Sequence, residues 1–170
     1  FGMKTGIPIL TMGTLVAPEA TPLHARLEKD ERLYFPPDND VRVSTPWITN
    51  IIPKQMTRQE LLTGVRWLGN RLYHPAAFEK RVLQFIESYT PPKVSHSPRA
   101  KKINISRLES FKVVESTCNL GPQEKTMFFN ITKAVTRCAP LTQTLVFNML
   151  LLYNQIRFMY QKGKFWDPGL

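Results

Sequence analysis

The chain has 170 residues, of which 42% are hydrophobic and 21% are charged. This length supports one ordinary domain, or one small domain with an extension, and the composition excludes global disorder. The net charge of +10 is uneven, because residues 1–89 hold 11 Lys/Arg and 9 Asp/Glu whereas residues 90–170 hold 12 and 4. A basic half indicates a nucleic-acid, membrane-surface or acidic protein partner, including an acidic part of the same protein.

The cysteines and the hydropathy of the chain limit the cellular compartments in which we expect the protein. Cys118 and Cys138 match neither a disulfide framework nor a zinc signature, so we expect free thiols in a reducing compartment. The first residues do not have the pattern of a signal peptide. The longest apolar run, residues 145–153, is shorter than the roughly 20 residues of a membrane span. We therefore expect a soluble, cytoplasmic protein without a membrane span.

The first predicted elements are a strand and a helix. Residues 6–16 form a short apolar run that predicts a buried strand, with Pro8 tolerated near its start. Thr21 is a suitable N-cap and Pro22 a suitable first helical residue, which predicts a helix to about Asp30. One βα unit cannot cover both faces of a parallel strand. We therefore interpret the N-terminal part as a piece of a larger α/β domain.

The middle of the chain predicts a loop and two helices. Residues 31–56 contain four prolines and predict a connecting loop. Thr57 and Glu60 have the spacing of a capping box, in which each side chain pairs with the other residue's backbone N–H. We expect a helix to begin at this box and to extend to about Tyr73. A second helix is predicted from Pro75 to about Tyr89, since the residue before a proline is disfavoured in a helix.

Beyond residue 89 the sequence predicts a basic linker at about 90–105 and three helices, which are Ser106–Cys118, Pro122–Cys138 and Pro140 to about Lys162. The last helix is apolar nearly all round, so we expect it at the centre of a bundle. The predicted fold class is therefore mainly α, a helical bundle preceded by a single βα remnant. The residues expected to face inward on the last helix are Leu141, Leu145, Met149, Leu152, Ile156 and Met159.

Two segments carry a resemblance to a known family. Residues 50–61 (Asn-Ile-Ile-Pro-Lys-Gln-Met-Thr-Arg-Gln-Glu-Leu) and 71–75 (Arg-Leu-Tyr-His-Pro) resemble the region after the catalytic barrel in cobalamin-binding-domain radical S-adenosylmethionine enzymes. In those enzymes this helical C-terminal domain has no assigned function. Residues 6–28 resemble the last strand, loop and helix of the same barrel. The resemblance covers about residues 6–89.

The resemblance implies a domain organisation. Residues 1–35 would be the remnant of the radical S-adenosylmethionine α/β barrel, residues 36–56 a connecting loop, and residues 57–170 a helical C-terminal domain. The partners would be the N-terminal barrel and cobalamin-type domains of the same parent chain.

The resemblance also implies a cofactor contact. In the family, the corresponding strand end lies against the adenine of S-adenosylmethionine, largely through its backbone. Carried over, the adenine-side residues are Gly13, Thr14 and Leu15. The chain departs from the family pattern after this point, with Val16 in place of a usual Gln and Glu19-Ala-Thr-Pro in place of Pro-Gly-Thr-Pro. The alternative is an ordinary core strand without a ligand contact.

The resemblance implies that the parent enzyme holds a [4Fe–4S] cluster, cleaves S-adenosylmethionine reductively and often uses cobalamin for methyl transfer. Cys118 and Cys138 cannot supply three thiolates for such a cluster. We therefore expect no cofactor, catalytic residue or metal ligand in this chain, which would cap the barrel and shape substrate access.

Two alternatives belong to other functional classes. Five basic residues between positions 93 and 107 have no acidic neighbour and could bind nucleic acid or an acidic protein. The same stretch lacks the aromatic residues that stack on bases, so nucleic acid is the weaker interpretation. A self-associating structural domain is the other alternative. The basic residues are Lys93, Arg99, Lys101, Lys102 and Arg107.

Overall fold

The computed structural model describes residues 1–2, 4–34, 47–92, 107–167 and 169, except for the side chains of 107–111. These ranges contain no strand, and a single isolated antiparallel bridge joins Leu33 and Ile51. The prediction of a mainly helical chain is confirmed. The six helices are α1 (Pro22–Lys29), α2 (Arg58–Tyr73), α3 (Pro75–Ser88), α4 (Arg107–Cys118), α5 (Pro122–Val135) and α6 (Pro140–Lys162).

Local capping signals set the helix starts. The Thr57 hydroxyl oxygen accepts the N–H of Glu60 at 3.1 Å, and the Glu60 carboxylate accepts the N–H of Thr57 at 2.7 Å. This reciprocal pairing is the predicted capping box, and α2 begins directly after it. Thr21 likewise accepts the N–H of His24 at 3.2 Å, with Pro22 as the first residue of α1. Both predicted helix starts are confirmed.

Contacts divide the chain into two units. The four-helix unit comprises Phe1–Leu10 and Leu72–Lys164, and therefore contains α3 to α6. The α1–α2 unit comprises Thr11–Arg71 and Phe165–Leu170. The predicted domain boundaries refer to a parent enzyme and stay a prediction. Part of the predicted loop at 36–56 and most of the predicted linker at 90–105, including its basic residues, lie outside the described residues.

The core of the four-helix unit joins aromatic and aliphatic side chains from α3, α5 and α6. Phe78 is fully buried and its ring lies 4.5 Å from that of Tyr153, between centroids. Tyr73 meets Tyr160 edge to face at 5.9 Å. Val82 on α3 and Met127 and Ile131 on α5 are also buried in this core.

The predicted inward face of α6 is wrong. Leu141, Leu152 and Met159 were expected inside, but they are 43%, 42% and 49% exposed. The buried positions lie one residue further on, about 100° around the helix. The number of apolar residues favours the Leu/Met stripe as the inward face. The buried face instead carries two tyrosines and one member of a charged pair. The buried residues of α6 are Thr142, Val146, Leu150, Tyr153, Arg157 and Tyr160.

The charged pair inside the four-helix unit joins α5 to α6. Arg157 Nη2 donates to Glu124 Oε1 at 2.9 Å, and the two side chains are 2% and 7% exposed. Charges taken out of water need each other, since a single unpaired buried charge loses hydration without compensation. The pair therefore fixes which face of α6 turns inward.

The α1–α2 unit has a smaller core. Ala17, Leu27, Leu33 and Ile51 form its buried cluster. The chain end packs on α2 through Asn70, whose amide donates to Phe165 O at 2.9 Å and accepts the N–H of Asp167 at 2.6 Å.

The predicted strand at residues 6–16 is not formed. These residues have no strand partner in the described ranges, and 7–16 have no regular secondary structure. The physical reason is that side chains supply the hydrogen bonds of the backbone at several positions, as described below. No helix in the described ranges is both long enough and apolar enough to cross a membrane.

Replacing Arg157 by Met should destabilise the four-helix unit by about 3–5 kcal/mol, because Glu124 is then buried without a counter-ion. Urea unfolding followed by far-ultraviolet circular dichroism measures the loss. The exposed pair Arg66–Asp167 is the control, since D167N should cost no more than about 1 kcal/mol. A double variant E124L/R157M should recover most of the loss, and a double variant as unstable as R157M would contradict this explanation.

Candidate functional site

An extended run precedes α1 and is the candidate site. Between residues 11 and 16 the exposure alternates along the chain. Such a period of two is typical of an extended backbone, in which successive residues point to opposite sides. Leu15 is 65% exposed, which is high for a large apolar residue. The exposed positions are Thr11, Gly13 and Leu15, and the half-buried ones are Met12, Thr14 and Val16.

Asn50 pairs with the backbone at the end of this run. Its Nδ2 donates to Ala17 O at 2.8 Å, and its Oδ1 accepts the N–H of Ala17 at 2.8 Å. A side-chain amide has one donor group and one acceptor in the arrangement of a peptide, so Asn50 makes the two hydrogen bonds that a neighbouring strand would make. Both residues are buried, which leaves no water to replace these bonds.

Thr49, the residue before Asn50, holds the same run two residues earlier. Its hydroxyl donates to Leu15 O at 2.6 Å. The hydroxyl of Thr14 donates in turn to Ile48 O. The polypeptide at residues 48–50 therefore binds the extended run at three positions, although no ladder of backbone hydrogen bonds joins them.

In the four-helix unit, Tyr73 makes an equivalent pair of hydrogen bonds with Leu10, the residue that precedes the run in the sequence. Its hydroxyl donates to Leu10 O at 2.7 Å and accepts the N–H of Leu10 at 3.2 Å. Burial raises the pKa of Tyr73 above its ordinary value. The hydroxyl therefore keeps its proton at neutral pH and remains a donor.

Arg81 lies beside this contact. Its side chain is fully buried, and its Nη2 donates to Leu72 O at 2.5 Å and to Pro8 O at 3.3 Å. Its Nη1 donates to Ala77 O at 3.1 Å. Burial lowers the pKa of Arg81, and the backbone carbonyls around it solvate the charge. Arg81 thereby ties the N-terminal segment to α3.

The predicted cofactor-side residues lie in the middle of the extended run. Gly13 is exposed and its backbone has no hydrogen-bond partner among the described residues. Leu15 is exposed, and Thr14 is half-buried and engaged with Ile48. Three consecutive residues thus offer an accessible backbone and one apolar side chain. Their contact with adenine stays a prediction.

The described residues contain no group of three or more His, Cys, Asp or Glu side chains that could hold a metal ion.

Comparison with known proteins gives one family. A sequence model described as "Domain of unknown function (DUF4070)" matches residues 21–165. The chain belongs to this family. No curated protein and no solved structure matches it. The family description does not mention radical S-adenosylmethionine or cobalamin enzymes, so that relationship stays a prediction.

The residues that bind the extended run lie in or beside the two sequence segments that carried the resemblance. Asn50 opens the first segment and Tyr73 lies within the second, and both fall inside the DUF4070 match. The sequence patterns did not reveal the role of the polar side chains in these segments. The available signal was an adjacent Thr-Asn pair before two isoleucines, where a buried polar side chain needs a partner.

Changing Asn50 to Asp should destabilise the α1–α2 unit by about 2–3 kcal/mol. A carboxylate keeps the acceptor for the Ala17 N–H but leaves the Ala17 carbonyl without a donor. All three tryptophans of the DUF4070 chain, Trp47, Trp67 and Trp166, lie in this unit, so tryptophan fluorescence during urea unfolding follows it.

The matched control is N148D, because Asn148 is a half-exposed position of α6 in the other unit. It should change stability by no more than about 0.5 kcal/mol. Equal losses in N50D and N148D would contradict a specific role for the Asn50 amide.

Proposed function

We propose that this chain is the C-terminal accessory region of a radical S-adenosylmethionine iron–sulfur enzyme, in which it caps the barrel and shapes substrate access. The observation that carries the proposal is the extended run at residues 11–16. Thr49 and Asn50 bind the backbone at Leu15 and Ala17, whereas Thr11, Gly13 and Leu15 are exposed and the backbone of Gly13 has no hydrogen-bond partner among the described residues. An unpaired extended edge is the form in which a chain adds to a neighbouring strand.

The sequence resemblance indicates which neighbour this would be. It places the run at the last strand of the barrel and residues 57–170 after it. We infer that the parent is a cobalamin-dependent methyltransferase or a related oxidoreductase, which holds a [4Fe–4S] cluster and S-adenosylmethionine in its barrel. The DUF4070 helices would then be its helical C-terminal domain.

The exposed residues fit the adenine contact that the resemblance implies. The backbone N–H and C=O of Gly13 have no hydrogen-bond partner among the described residues and would pair with the hydrogen-bonding edge of a base. Leu15 presents an apolar side chain suited to packing against its ring. Thr14, whose hydroxyl donates to Ile48, would hold the backbone of the run between these two residues.

In the intact parent, L15K should weaken the binding of S-adenosylmethionine at least about tenfold, because an ammonium group cannot replace an apolar contact with a ring without losing hydration. Equilibrium dialysis of labelled S-adenosylmethionine measures the affinity. M56K is the control, since Met56 is also exposed and apolar but lies outside the run. Unchanged affinity in L15K would contradict the adenine-side assignment.

Deleting residues 57–170 from the parent should abolish substrate turnover or broaden substrate selectivity, because the cap would no longer limit access to the barrel. Turnover against a panel of substrates of increasing size measures the effect. The visible absorption of the iron–sulfur cluster is the control for a folded barrel. Activity and selectivity that match the intact enzyme would contradict the capping role.

A further inference from the structure

A cavity of about 470 Å³ opens between α4, α5 and α6 of the four-helix unit. Its volume is in the range of small-molecule sites. Among the described residues, seven apolar side chains, three polar side chains and no charged side chain line it. Val114 on α4 lies at the cavity and is 37% exposed, which gives the cavity an opening to solvent. This cavity has no part in the function proposed above.

The donors of the three polar residues are already used. The Thr132 hydroxyl donates to Phe128 O at 2.8 Å, and the Thr144 hydroxyl donates to Pro140 O at 3.0 Å. The Gln143 amide nitrogen donates one proton to Cys138 O at 2.9 Å and the other to Thr136 O at 3.3 Å.

Among the lining side chains, only acceptors therefore remain for a molecule in the cavity. A hydroxyl oxygen can accept after its proton is engaged, and the Gln143 Oε1 can only accept. The lining thus offers three acceptor oxygens, from Thr132, Gln143 and Thr144, within an apolar wall. A carboxylate or phosphate would find no free donor among the lining side chains, so the hydration that it loses against the apolar wall would not be replaced by them.

We propose that this cavity binds a neutral, mainly apolar molecule that carries one hydroxyl group. The apolar body would fill the space against side chains such as Phe147 and Val135, and its removal from water would supply most of the affinity. The hydroxyl proton would go to one of the three acceptor oxygens. The ligand class is therefore an apolar alcohol, as opposed to the corresponding acid.

The test titrates the purified 170-residue chain with 1-pyrenemethanol and follows the pyrene fluorescence. Pyrene and 1-pyrenecarboxylate are the comparison probes and have the same ring system. Pyrene has no hydroxyl donor, and the carboxylate carries a negative charge. The alcohol should bind about tenfold more tightly than pyrene, which is the gain in affinity expected from one net hydrogen bond. Its preference over the carboxylate should be larger still. Equal affinities for the three probes would overturn the proposal.

Two variants separate the cavity from other apolar surface. V135F fills the cavity and should abolish binding of the alcohol. T132V/T144V removes two acceptors at nearly constant volume, so it should reduce the preference for alcohol over pyrene while pyrene still binds. Circular dichroism checks that each variant is folded, and should V135F fail to fold, the double variant decides. Alcohol binding unchanged in both folded variants would place the probe elsewhere and overturn the proposal.

Discussion

The extended run at residues 11–16 and the residues next to it depend on a single constraint, that backbone N–H and C=O groups removed from water must be paired. Neighbouring strands usually provide the partners. In this chain Tyr73 provides both for Leu10, and Asn50 provides both for Ala17. Each of these side chains has a donor and an acceptor on neighbouring atoms or on one atom, so a single residue can replace a pair of ladder bonds. The identity of each residue is therefore set by the backbone that it pairs with.

This pairing covers only part of the run. Thr49 and Asn50 bind the backbone at Leu15 and Ala17, whereas the side chains of Thr11 and Leu15 are exposed and the backbone of Gly13 has no partner among the described residues. An extended segment with unpaired backbone groups can accept a strand. This is the physical basis for the proposal that the DUF4070 chain lies beside a barrel. The ligand proposed for the cavity between α4, α5 and α6 depends on other residues and is tested independently.

Sequence patterns predicted what local interactions decide and failed where distant residues decide. The starts of α1 and α2 follow from hydrogen bonds over three residues, at Thr21 and at Thr57 with Glu60, so they could be predicted. The strand at 6–16 required partners 30 to 60 residues away, which no periodicity contains. The predicted inward face of α6 was wrong because the buried Arg157–Glu124 pair, and not the stripe of apolar residues, decides which face turns inward. The residues Gly13, Thr14 and Leu15 came from resemblance alone, and neither the pairing of Asn50 with Ala17 nor that of Tyr73 with Leu10 was predicted.

The most direct test of the paired run is amide hydrogen exchange in the unmodified chain, resolved by residue with NMR. The N–H groups of Leu10 and Ala17 donate to Tyr73 and Asn50, so they should exchange slowly. The N–H groups of Gly13 and Leu15 have no partner among the described residues and should exchange quickly. Slow exchange at Gly13 and Leu15 would mean that these N–H groups are already paired. Fast exchange at Leu10 and Ala17 would mean that the side chains do not hold the run, and either result would contradict the account.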